Sequence, residues 1–327
     1  MGDRSQYGKT LVNRYIIHLK GFSHHFRALA ASARLANVPS VAGNVFLGAA
    51  LATLAGWSGT AQALYVSIVL LVWSGVFLYL AGNFLNDWAD RSWDEIHRRE
   101  RALPSGLFTP RTYFFAACAF GLLGLCTAAV VRPQCLIVAS MIVIAIVIYT
   151  WSHKWAAWSV IPMGSCRALL PVLGFAGFAA PQGFPIALIA CACGLFFHIV
   201  GLSLSARSES MATAPTGLLR FARWLFLPAA LSMFFASWVG LVCPLEVSLF
   251  GIFPYALWIG LCLTVFRKPV HRHVSNLLAG IPLADWIVLL PLALTAAAPG
   301  TMALACLIGP PCAFLASKAL QRLAPAT

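Results

Sequence analysis

The stretch Ala81–Gly106, AGNFLNDWADRSWDEIHRRERALPSG, closes an apolar run with a burst of charge. Asp87, Asp90, Asp94 and Glu95, four of the chain's nine acidic residues, lie close together in it. At helical spacing, Asn83, Asn86, Asp87, Asp90 and Asp94 share an arc of about 100°. One helical face therefore ends, at the edge of an apolar span, in carboxylates and amides. Such a face repels itself unless something cationic sits in it. Its hard oxygen ligands suit Mg²⁺, which takes one or two carboxylates and completes its shell with water and substrate phosphates. Arg98, Arg99 and Arg101 follow, then Leu103-Pro104-Ser105-Gly106. Arginine grips phosphate oxygens, bidentately where geometry allows. A diphosphate bridged to carboxylates through Mg²⁺ uses both halves of the stretch. The competing reading is a solvated loop whose acids and bases neutralise each other. The i, i+4, i+8 register of Asn86, Asp90 and Asp94 favours the functional reading.

Outward from this stretch, the chain reads as membrane protein. Its 327 residues are 61% hydrophobic and 9% charged, where a soluble domain carries roughly 25% charged residues. Several apolar runs approach the ~20 residues that cross a bilayer core. The expected fold class is all-α, a polytopic transmembrane helical bundle of nine to ten spans. The spans fall roughly at 38–56, 62–86, 112–131, 134–152, 159–179, 184–204, 222–243, 247–266, 277–297 and 301–320. Pro133, Pro181-Gln182-Gly183, Pro244, Pro269 and Pro299-Gly300 mark joints between them. Pro310-Pro311 points to a broken or re-entrant last segment.

Net charge is +13, and its distribution decides its meaning. With the basic N-terminus inside, alternate joints bring Arg91, Arg98, Arg99, Arg101 and Arg111 inside. Lys154, then Arg207, Arg220 and Arg223, then Arg267, Lys268 and Arg272 follow on the same side, with Lys318 and Arg322 at the end. Of the 22 Lys and Arg residues, only Arg132 falls outside and only Arg167 within a span. This is the positive-inside pattern, and it displaces a nucleic-acid partner as the account of the charge. The localisation expected is integral and multi-pass, in a bacterial inner membrane or its equivalent, with cytoplasmic active loops. Residues 1–34 read as a basic cytoplasmic segment, in which Leu11–Leu19 has the pattern of an interfacial amphipathic helix. Residues 35–327 form the membrane domain. No signal peptide is visible. The ten cysteines lie in apolar stretches, and Cys191 and Cys193 are too close for a CxxC site, so they read as small hydrophobes.

Asn86-Asp87-Trp88-Ala89-Asp90-Arg91-Ser92-Trp93-Asp94, followed by Arg101-Ala102-Leu103-Pro104-Ser105-Gly106, resembles the first signature of the UbiA superfamily of intramembrane prenyltransferases. That signature reads NDxxDxxxD and then RPLPSG; Ala102 replaces its first proline. Arg34-Leu35-Ala36-Asn37-Val38-Pro39 opens the first span much as the family does, and Tyr149 and His153-Lys154 end the fourth where the family often has a tyrosine and a basic residue. The resemblance implies a helical bundle around a central lipid-open cavity. It also implies an Mg²⁺-dependent enzyme that moves an isoprenyl group from a prenyl diphosphate to a hydrophobic, usually aromatic, acceptor in contact with membrane lipid. Asp90 and Asp94 would be catalytic, holding the metal with Asn86, Asp87 and Glu209. Asn83, Arg101, Lys154, Ser205 and Arg207 would contact the diphosphate.

The family's second signature, DxxxD after the sixth span, is altered here to Ser205-Ala206-Arg207-Ser208-Glu209. Glu209 keeps the second acid, while Ser205 offers a hydroxyl without charge. The alternative reading is therefore a catalytically impaired lipid-binding protein or a transporter. Against a transporter, the polar clusters sit at span ends rather than at helix breaks in mid-membrane. Arg167 and Asp285 lie inside spans, where charge is costly; Arg167 reads as pointing at the diphosphate or pairing with Asp285, and Asp285 as half of a pair joining two helices or as an acceptor-binding or proton-accepting carboxylate. Phe77, Tyr79, Tyr149 and Trp286 read as packing or as a cation-stabilising lining.

Overall fold

The computed structural model describes residues 25–54, 60–154, 157–178, 185–207, 216–295 and 300–324. Leu11–Leu19, Pro181-Gln182-Gly183, Ser208 and Glu209 lie outside them. The described residues are helical throughout, with no strand among them. A single helical turn, Leu35–Asn37, leads into α1 (Val38–Leu54), followed by α2 (Ala61–His97), α3 (Pro110–Val131), α4 (Pro133–Ser152), α5 (Val160–Ala176) and α6 (Ile186–Arg207). Then come α7 (Thr216–Trp224), α8 (Phe226–Phe235), α9 (Leu245–Thr264), α10 (Val270–Ala279), α11 (Ile281–Leu294) and α12 (Gly300–Leu320). Nine helices among the described residues are long and apolar enough to cross a membrane, counting α7–α8 and α10–α11 as continuous crossings. The 17-residue α5 is shorter and equally apolar.

The helix starts follow local chemistry. Thr60 caps α2 by accepting from Ala63 N at 3.3 Å, and Thr109 caps α3 by accepting from Thr112 N at 3.2 Å. Pro110 and Pro133 occupy first-turn positions, where a missing N–H costs nothing. At 37 residues, α2 is about 56 Å long, far more than the ~30 Å hydrocarbon core. The span expected to stop near residue 86 instead runs on through the motif to His97 as one helix. Its carboxylate turns therefore stand beyond the hydrocarbon. The segment after α12's start contains Pro310 and Pro311, yet α12 is unbroken from Gly300 to Leu320. The expected break is thus corrected. Neighbouring helices make up for the missing N–H groups in a membrane helix, and α12 packs on α1 and α11.

Burial sorts the helices into inner and outer. Of the membrane-spanning stretch of Val270–Leu294, 83% is buried, and of Leu35–Thr53, 67%, against 17% for each of α3 and α12. The α10–α11 crossing and α1 therefore form the interior, and α3 and α12 face lipid with residues such as Val130, Leu122 and Leu315. At its tightest crossing, α1 meets α5: a Cβ on Gly48 would fall on the Pro171 carbonyl, and one on Gly174 on the Val45 carbonyl. The domain boundary expected at residue 34 passes through packed structure. Residues 25–32 are helical, Ala33 is buried, and Ser32 Oγ lies 2.7 Å from the Tyr113 hydroxyl on α3.

Candidate active site at the mouth of the bundle

The last turns of α2 put Asn83, Asn86, Asp87, Asp90 and Asp94 on one face, as the 3.6-residue period requires. The face turns inward: Asp87, Asp90 and Asp94 are 7%, 9% and 2% exposed. Buried carboxylates need partners, and three other parts of the chain supply them. From before α1, Arg34 Nη2 donates to Asp87 Oδ1 at 3.1 Å and Nη1 to Asn83 Oδ1 at 2.8 Å. From the α2–α3 loop, Arg101 Nη1 donates to Asp94 Oδ2 at 2.9 Å and lies 3.5 Å from Asp87 Oδ1. From the end of α4, His153 Nε2 lies 3.0 and 3.2 Å from the two Asp90 oxygens, and Lys154 Nζ lies 3.0 Å from Asp90 Oδ1.

The acids and bases of this stretch do neutralise each other, but in a buried cluster rather than in a solvated loop. Burial is the largest single influence and disfavours the Arg34 charge; Asp87, Tyr79, Tyr149 and Asp90 together outweigh it, and the guanidinium is held above the ordinary arginine pKa. Arg101 reaches the site because the following loop folds back. Ser105 N donates to Arg101 O and Gly106 N to Leu103 O, each at 3.0 Å, and Gly106 has φ +75°. Ala102, where the family signature has proline, is buried beside Phe84 and Tyr113.

Two acceptors in the cluster have no partner among the described residues. Asn86 Nδ2 donates to Asp90 Oδ2 at 3.0 Å, which leaves Asn86 Oδ1 buried without a hydrogen bond, and Asp94 Oδ1 is likewise buried and unpartnered. A buried oxygen with no donor is costly. Orphaned amide and carboxylate oxygens on one helical face fit a hard divalent cation. Among the described residues, no three acidic, imidazole or thiol groups converge on one metal position.

The other expected site residues are placed as follows. Asn83 Nδ2 donates to Ala33 O at 3.0 Å and its Oδ1 accepts from Arg34, so it anchors Arg34 at the mouth. Lys154 also donates to Ala89 O at 3.1 Å. Arg207 at the end of α6 donates from Nη2 to His153 O at 2.9 Å and to Ser159 Oγ at 2.6 Å, which ties the end of α6 to the α4–α5 connection that carries His153. Ser205 is buried, with its hydroxyl donating to Gly201 O at 2.9 Å. Arg98 stacks over Trp93 and Arg99 donates to Glu95 O, so Arg101 alone of the three turns inward. The sequence reading did not assign roles to Arg34 and His153. A lone Arg before an apolar span, and a His four residues after Tyr149 with ring centroids 5.2 Å apart, were the available signals.

Comparison with known proteins fits this geometry. The model of the UbiA prenyltransferase family matches residues 44–279. A digeranylgeranylglyceryl phosphate synthase of Methanothrix thermoacetophila is 30% identical over 119 residues, 36% of this chain and 40% of that one. One from Methanopyrus kandleri is 29% identical over 106 residues, 32% of this chain and 39% of that one. The matched stretch thus spans about two fifths of these relatives. Among solved structures, a UbiA homolog from Aeropyrum pernix K1 superposes with a TM-score of 0.61 at 15% identity, covering 76% of this chain and 94% of that one. A structure concerned with digeranylgeranylglyceryl phosphate synthase in membranes gives a TM-score of 0.55 at 14% identity, covering 89% and 99%. At these identities the structural matches speak for the fold.

Proposed function

The chain belongs to the UbiA prenyltransferase family, and on that premise we propose that it transfers an isoprenyl group from a prenyl diphosphate to a hydrophobic, aromatic acceptor. The observation that carries the proposal is the pair of orphaned oxygens, Asn86 Oδ1 and Asp94 Oδ1, on a buried face ringed by Arg101, His153 and Lys154. Asn86, Asp90 and Asp94 would hold Mg²⁺, with Glu209 as a further ligand from the second loop; bound Mg²⁺ supplies charge neutralisation to the diphosphate.

The bases now on the carboxylates have a second use. Arg101, Lys154 and Arg207 donate to phosphate oxygens when diphosphate arrives, and so stabilise the charge that builds on the leaving group. Arg34 keeps Asp87 and Asn83 in place. Ser205, in the last turn of α6, would offer its hydroxyl oxygen from beside Arg207. The prenyl tail lies among the apolar helices, where water is scarce, so the allylic cation left by C–O cleavage survives until the acceptor attacks. The active loops face the cytoplasm, as the Lys and Arg distribution supports.

A second acceptor class is favoured by the partial relatives, which are named as digeranylgeranylglyceryl phosphate synthases: an alcohol on a glycerol phosphate lipid. The test is Mg²⁺-dependent release of diphosphate from a radiolabelled prenyl diphosphate. Asp90→Ala and Asp94→Ala are each expected to reduce it by about 100-fold or more, the scale on which a charge-stabilising group acts. Unchanged release in both variants would overturn the proposal and leave the lipid-binding or transport reading.

A further inference from the structure

Arg167 on α5 and Asp285 on α11 are 8% and 1% exposed, away from the mouth and without a place in the chemistry above. Opposite charges in a weakly polar interior gain most by direct contact. Here Asn44 on α1 stands between them. Its Nδ2 donates to both Asp285 oxygens at 2.8 Å, and its Oδ1 accepts from Arg167 Nη1 at 3.1 Å. Arg167 Nη2 donates to Ser40 Oγ at 3.1 Å, and that hydroxyl donates to Asn37 O at 2.7 Å. Among the described residues, the other N–H groups of Arg167 have no acceptor and Asp285 accepts from a single nitrogen. Both charges keep hydrogen-bonding capacity in a place where unused capacity is expensive.

Gly43 beside them is partly exposed, so a small opening lies at the glycine. A Cβ there would stand 3.1 Å from Asp285 Oδ2, a tight contact, so the carboxylate lies directly behind this part of α1. Nearer the mouth, the Tyr79 hydroxyl donates to Arg34 O at 3.1 Å.

We propose that Gly43, Asn44, Arg167 and Asp285 form the subsite for the hydroxyl-bearing end of the acceptor, a reading that rests on the prenyl-transfer function. The hydroxyl donates to Asp285 and its oxygen accepts from Arg167. An anionic group there would oppose Asp285, a cation would oppose Arg167, and an apolar one would leave both unfilled. A hydroxyl is the small group that serves both.

The test uses the full-length protein in nanodiscs and two probes, β-naphthol and its methyl ether, with protein-free discs subtracted. The wild type is expected to bind the naphthol at least about 10-fold more tightly than the ether, since a site built for a hydroxyl discriminates against its absence. Gly43→Val fills the opening and is expected to abolish that preference while Mg²⁺–prenyl diphosphate binding stays within about twofold of wild type. Asp285→Asn, which keeps the shape, is expected to shrink the preference by about 3-fold or more. Equal wild-type affinities for the two probes would overturn the proposal. So would an undiminished preference in both variants, or a parallel loss of naphthol and prenyl diphosphate binding in both, which would mark a purely structural cluster. The naphthol preference is read without Mg²⁺ or turnover, so its failure is distinct from failure of the Asp90 and Asp94 experiment.

Discussion

Arg101 holds two carboxylates at once, Asp94 at 2.9 Å and Asp87 at 3.5 Å. Arg101→Gln would leave Asp94, which is almost wholly buried, without its cation, while Asp87 keeps Arg34. The expected loss is about 1–3 kcal/mol of stability, the range for an orphaned buried polar partner when the base itself is partly solvated. Prenyl diphosphate affinity is expected to fall by about 10-fold, a charge-assisted contact's share. Arg99→Gln is the matched control: Arg99 is exposed and meets only a backbone carbonyl, so unfolding midpoint and binding should both match the wild type. A similar loss in both variants would mean that the effect comes from net charge and not from position. The sequence made the shared face of Asn86, Asp90 and Asp94 legible because helical periodicity alone dictates it. It did not disclose that Asn83 is occupied, because its partner Arg34 lies 49 residues earlier in the chain. Nor did it disclose that His153 sits on Asp90 across a separation of 63 residues. Contacts at that range are made by packing, which periodicity does not encode.

Helix α1 carries Asn44, and Arg34 stands one turn before its start, so its seating against α5 governs both the mouth and the interior cluster. The seating depends on two glycines. Gly48 and Gly174 each face a backbone carbonyl of the other helix, and a carbonyl in a helix cannot rotate away as a side chain can. Gly174→Ala is therefore expected to destabilise by about 1–3 kcal/mol, as overpacking does, although glycine-to-alanine in a helix is otherwise favourable by up to about 1 kcal/mol. Gly260 on α9 meets nothing within 4 Å, so Gly260→Ala should be neutral or slightly stabilising in the same thermal unfolding assay. Equal midpoints for the two variants would show that α1 and α5 separate at little cost. At this scale hydropathy located the crossings well, since each buries or offers to lipid a long apolar surface. It misjudged where helices stop. α2 continues past its apolar run because Asn86 bonds Asp90 one turn on and bases from three other parts of the chain neutralise its acids.

The short α5 decides the topology of the whole molecule. The ends of α2, α4 and α6 stand together, since His153 bonds Asp90 and Arg207 bonds the His153 carbonyl and Ser159. At its other end, a Cβ on Gly177 would meet Leu71, early in α2, and Val131, the last residue of α3. Thus α5 runs from the mouth to the opposite side in 17 residues, which is the short end of the range for a membrane crossing. With α5 counted, ten crossings bring the second loop back to the first; with nine, Arg207 and Glu209 would be a membrane's thickness away from Asp90. The charges agree: among the described Lys and Arg outside the spans, Arg132 alone lies at the end of the bundle away from Asp90. Reporter insertions after Gly106, Lys154 and Arg207 are therefore expected to register in the cytoplasm, and insertions after Arg132 and after Pro181 on the opposite side. A cytoplasmic signal after Pro181 would remove α5 as a crossing, separate the two loops, and leave the carboxylate face of α2 without the second half of its site.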